Sequence, residues 1–79
     1  MQDRNSMELK PGQLWKHYKG GMYRIVTLAV NNQTDELYDA VLYQNVDDES
    51  KVWTQSKERF LGTEQYNGEI VPRFTLVSE

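Results

Sequence analysis

Cysteine is absent from this 79-residue chain, which excludes disulfide staples, thiol nucleophiles and cysteine-ligated zinc or iron–sulfur centres. A single histidine leaves too few ligands for a structural zinc site. No apolar run approaches the ~18 residues that span a bilayer, and residues 1–7 lack the basic-then-apolar pattern of a signal peptide. A cytoplasmic protein with no membrane partner is therefore expected. Internal repeats, linkers and low-complexity tracts are also missing, so one small domain is expected. Such a chain buries only about 60–65% of the surface its unfolded form exposes. With no staple available, its core must come largely from two Trp, five Tyr and two Phe.

Positive charge is scarce overall, with nine bases against twelve acids and a net charge of −3, which argues against general nucleic-acid binding. The balance is uneven. Residues 1–30 hold five bases against two acids, whereas residues 31–79 hold four against ten. No acid occurs from Leu9 to Thr34, so a locally positive face on an acidic protein is expected.

The pattern along the chain is that of strands separated by turns. Residues 1–10 read as a flexible N-terminal tail and residues 11–79 as a single β domain opened by the Pro11-Gly12 turn. Leu14–Tyr18 reads as a short strand closed by Gly20-Gly21, and Tyr23–Val30 as a strand apolar enough to be central, with both faces partly covered. Asn31–Asp35 reads as a loop and Glu36–Gln44 as a strand with Val41 and Tyr43 on one face, Ala40 and Leu42 on the other. Asn45–Ser50 is an acidic loop, Val52–Thr54 a short strand, and Ser56–Phe60 one helical turn capped by Ser56. Asn67-Gly68 signals a type I′ hairpin between Glu64–Tyr66 and Glu69–Val71, and Pro72 belongs at a strand edge or bulge. The expected class is all-β: a small SH3-like barrel of five or six short strands with one helical turn, or alternatively an open antiparallel meander.

Several motifs are weak on their chemistry. Asp47-Asp48-Glu49 lacks the alternation and glycine of a calcium loop. Gly20-Gly21 follows its lysine and precedes no helix, so it reads as a turn and not as a phosphate cradle. His17 has no recognisable triad partner or nucleophile elbow, so no catalytic residue, metal or cofactor is assigned and a non-enzyme is expected.

The densest segment is Trp15–Ile25, which holds three aromatics, the only histidine and three bases. Polar-tipped rings interleaved with bases suit a contact surface. His17, Tyr18, Lys19, Tyr23, Trp53 and Arg73 are the expected ligand-binding residues, lining a shallow groove. The expected ligand is a peptide, a nucleotide or a short single-stranded nucleic acid. The alternatives are a hydrolase or nucleotide-processing accessory using His17 as acid–base, and a purely structural or self-associating domain.

The run His17-Tyr18-Lys19-Gly20-Gly21-Met22-Tyr23-Arg24-Ile25 resembles the opening motif of a family of small bacterial proteins known as domain-of-unknown-function family 1653. Tyr38–Tyr43, Trp53, Phe60 and Pro72-Arg73-Phe74 match later parts of its pattern, so the resemblance covers about residues 11–76. One departure is clear: the family pattern has Trp-x-Arg-Pro where this chain has Trp53-Thr54-Gln55-Ser56. The resemblance implies a compact SH3-like β fold and no established activity. His17, Tyr18, Lys19, Trp53 and Arg73 carry over from it as pattern residues.

Overall fold

Glycine sets the first two reversals of the chain. A computed structural model describes residues 8–31 and 36–79. In it Gly12 has φ +92°, and its N–H donates to the Ile25 carbonyl at 2.8 Å. Gly20 and Gly21, at φ +98° and +86°, fold β1 (Leu14–His17) back onto β2 (Met22–Asn31). Side chains are strained at such angles, which is why glycine stands there. The resulting pair is antiparallel, with Trp15 opposite Tyr23 and Lys16 opposite Met22.

The chain continues through β3 (Glu36–Asn45), β4 (Asp48–Ser56), α1 (Lys57–Phe60), β5 (Thr63–Tyr66), β6 (Glu69–Pro72) and β7 (Phe74–Ser78). The described residues thus form seven strands where five or six were expected. The expected helical turn is in place: Ser56 caps α1, its Oγ accepting the Arg59 N–H at 3.2 Å. The Asn67-Gly68 hairpin is also in place, with φ +52° and +79°, the two positive angles a type I′ turn requires. Of the expected tail, residues 1–7 lie outside the described residues, as does most of the Asn31–Asp35 loop.

Five strands form one antiparallel sheet in the order β4-β3-β2-β1-β7, and β5 and β6 form a second sheet of two. The protein is all-β as expected, but the SH3-like barrel closure is not found among the described residues. The open antiparallel meander describes it instead. The reason lies in the β5–β6 hairpin, which bonds only to itself where closure needs it to bridge β4 and β7. Two backbone bonds flanking the hairpin, Arg73 N–H to Gly62 O and Tyr18 N–H to Arg73 O, tie it to the rest. β2 is central, yet Val26 and Val30 are 42% and 47% exposed, so its second face is more open than its apolarity suggested. β-branched residues suit a half-buried pleated surface and do not require two covered faces, and a register shift between Ile25 and Thr27 accompanies the exposure of Val26.

The core lies against one face of the five-stranded sheet. It contains Leu9, Trp15, Ile25, Val41, Tyr43, Phe60, Leu61 and Phe74. α1 delivers Phe60, which stacks on Phe74 at 4.2 Å between centroids and meets Trp15 edge-on at 5.2 Å. Such pairs contribute about 0.5–1.5 kcal/mol each beyond the area they bury. Gln13, 1% exposed, is the buried polar side chain: its Oε1 accepts from Trp15 Nε1 and Lys10 N, and its Nε2 donates to Glu8 O and Glu79 Oε1. Among the described residues, no helix is long and apolar enough to cross a membrane.

Candidate functional site

Alternation along the strands carries the core-facing row of side chains out to one end of the sheet. Tyr23 follows Ile25 on the same face, Tyr43 follows Val41, and Trp53 is paired across from Tyr43. His17 is paired with Phe74 at the meeting of β1 and β7. There the row opens into a cleft of about 270 Å³ lined by His17, Tyr23, Tyr43, Trp53, Gln55 and Phe74.

The floor of the cleft is rigid by packing. Phe74 and Tyr43 are buried, and their rings meet at 5.4 Å and 72°. Tyr23 meets both edge-on, at 5.7 Å in each case, and His17 meets Phe74 at 5.0 Å and 75°. Trp53 differs: it is 48% exposed and has no ring neighbour among the described residues, only the Lys51 ammonium 5.7 Å from its centroid.

His17 is held neutral. Burial lowers its pKa from 6.5, the Arg73 and Lys19 charges lower it further, and Glu64 opposes them. Its Nδ1 accepts the Lys19 N–H at 3.2 Å, so the proton of the neutral ring sits on Nε2 and the imidazole offers a donor. The Tyr43 hydroxyl is pushed up, chiefly by burial, and stays protonated. Arg73 is paired with Glu64. Two buried polar atoms have no partner among the described residues, Gln55 Oε1 in the cleft wall and Arg73 Nε beside it. No hydroxyl or carboxylate is hydrogen-bonded to His17, and no group of acids and histidine suited to a metal ion occurs among the described residues.

The expected site residues divide into two sets. His17, Tyr23 and Trp53 converge on the cleft. Tyr18 is outside the lining: its ring packs 4.6 Å from that of His17 and meets Tyr66 edge-on at 5.3 Å, with the Lys19 ammonium 5.8 Å from the Tyr18 centroid. Arg73 stands behind His17 in its ion pair and acts on the cleft through charge. Tyr43, Gln55 and Phe74 were not anticipated as site residues. Phe74 lies in the Pro72-Arg73-Phe74 motif and Gln55 at the departure from the Trp-x-Arg-Pro pattern, and both signals were visible. Tyr43 was readable only as a core-facing ring, because its pairing with Trp53 depends on strand register.

Comparison with known proteins agrees with this architecture. No curated protein matches the chain. The crystal structure of a DUF1653 protein from Bordetella bronchiseptica is similar to it, with a TM-score of 0.71 and 27% identity over 90% of each chain. The model of the family described as protein of unknown function DUF1653 matches residues 13–76, and the chain belongs to that family.

Proposed function

We propose that this protein is a non-enzymatic binding module whose cleft receives one flat ring or apolar side chain of a peptide, a nucleotide or a short single-stranded nucleic acid. The observation that carries this reading is the cleft itself: aromatic side chains around about 270 Å³, with an unpartnered Gln55 Oε1 in the wall. Its size is just below the ~300–1,000 Å³ typical of sites for drug-sized molecules, which suits a single ring or side chain. Polar tips on His17, Tyr23, Tyr43 and Gln55 would orient that group, while the rings supply contact area. Stacking contributes ~1–3 kcal/mol per base where the ligand is a nucleic acid.

An acid–base role for His17 finds less support. Its Nδ1 is committed to a backbone N–H, and the nearby carboxylate of Glu64 is engaged by Arg73. A survey of backbone amide shifts with short oligonucleotides and proline-rich peptides tests the binding reading. Shifts clustered on His17, Tyr23, Trp53 and Gln55 are expected, and a titration that moves none of them refutes it. Strong weakening by salt identifies a nucleic-acid ligand, and indifference to salt a peptide.

A further inference from the structure

Four charged groups act on the cleft's rings, and three of them are cations. Lys51 places its ammonium 5.7 Å from the Trp53 centroid, and Lys19 and Arg73 both act on His17. Among the described residues no carboxylate lines the cleft, and Glu64, an acid that acts on His17, is bound to Arg73. With Arg73 paired to Glu64 and the Lys19 ammonium over Tyr18, Lys51 is the cation at Trp53, and a cationic ligand would meet its repulsion with no lining carboxylate to offset it. A ligand carrying both a flat ring and an anionic group fits the ring lining and the charge together.

The backbone beside the cleft is arranged to offer these groups. Between the Tyr43–Trp53 and Asn45–Asp48 pairs, β3 spends one residue where β4 spends four. Residues 49–52 therefore bulge from the ladder, leaving Lys51 and Trp53 exposed at the sheet's edge. Bulges of this kind commonly re-aim side chains beside binding sites. Trp53 can then serve as a stacking platform, since it alone among the lining rings has no ring packed against it among the described residues. The neutral His17 offers Nε2–H, and rotation of the Gln55 amide presents an acceptor that has no partner among the described residues. These are the complements of a nucleobase edge, which displays ring nitrogens, carbonyls and amino groups side by side.

Resting on the binding reading above, we propose that the cleft holds the base of a nucleoside monophosphate, stacked on Trp53, with Lys51 contacting the phosphate. The acidic surface elsewhere, net −3 over the chain, disfavours long nucleic acid and leaves this one local contact.

The test uses the full chain with AMP and UMP, adenosine and uridine, and N-acetylphenylalaninamide as a neutral ring without phosphate. Trp15 is fully buried and Trp53 half exposed, so ligand-dependent fluorescence reports Trp53; amide shifts give an independent readout. Nucleotides are expected to bind roughly tenfold more tightly than nucleosides, as one charge-assisted contact implies. Lys51→Gln should remove that tenfold difference while nucleoside binding persists, and Trp53→Leu should abolish both. Both residues are exposed, and far-UV circular dichroism confirms that each variant is folded. Equal affinity for nucleotide and nucleoside, or a Lys51→Gln variant that behaves like the parent, overturns the nucleotide assignment. If only N-acetylphenylalaninamide moves the cleft signals, the assignment fails and the binding module stands. If no probe moves them, both fail.

Discussion

Replacing Gln13 with Met isolates what a buried polar network contributes to this small core. The two side chains are close in volume, so little cavity term enters and the lost hydrogen bonds dominate. Gln13 makes four of them, but their worth is unequal. Lys10 N, Glu8 O and Glu79 Oε1 belong to exposed residues and can be rehydrated, whereas Trp15 Nε1, 3.2 Å from Gln13 Oε1, belongs to a residue with 0% exposure. A buried donor left without a partner costs ~1–3 kcal/mol, and each rehydrated bond loses a few tenths of that. Gln13→Met should therefore destabilise the fold by about 2–3 kcal/mol. For a domain of this size that corresponds to a fall in Tm of roughly 10–20 °C by calorimetry. The Trp15→Phe change removes the orphaned donor, so the double variant should show a favourable coupling of ~1 kcal/mol or more in a double-mutant cycle. A Gln13→Met variant within 0.5 kcal/mol of the parent, or a cycle without coupling, would show that the network is dispensable.

Three further outcomes are expected. The His17 imidazole should titrate below 6.5 by NMR, since burial, Arg73 and Lys19 all favour its neutral form. The unfolded chain then binds the proton first, so this contribution to stability is complete above pH 6.5 and is lost as pH falls through the lowered folded value. Arg73→Met should move the titration back up, and an unmoved midpoint would remove Arg73 as a cause. Gly68→Ala meets no atom within 4 Å, so its cost, about 1–2 kcal/mol by denaturant titration, should come from φ +79° alone; Gly68→Asn should recover part of it. Ser56→Ala should cost about 0.5–2 kcal/mol through the lost cap of α1, and an unchanged midpoint would mean that Phe60 packing holds this turn without it.

What could be read from the sequence was local chemistry. Gly20-Gly21, Asn67-Gly68 and the Ser56 cap each decide a turn or helix start within a few residues, and each is found where it was read. The all-β class follows from the same signals. Closure was not legible, because whether β5–β6 bridges the sheet edges depends on contacts between segments distant in sequence. The site was legible by half for a related reason. His17, Tyr23 and Trp53 announce themselves as polar-tipped rings, whereas Tyr43 joins them through cross-strand register. Tyr18 and Lys19 share the hairpin's composition, but they lie past the end of β1, where the Tyr18 ring meets Tyr66 and the Lys19 ammonium lies near Tyr18.

The pairing of β1 with β7 has a consequence for how the protein is made. Residues 14–17 find their second neighbour only when residues 74–78 arrive, so a chain growing on the ribosome carries an open β1 edge until those residues have been made. Phe74, which stacks on Phe60 and floors the cleft, emerges at that same moment. The core and the cleft therefore mature together, and a nascent chain halted before Phe74 would expose Trp15 and Phe60 to whatever chaperone or protease waits at the exit tunnel.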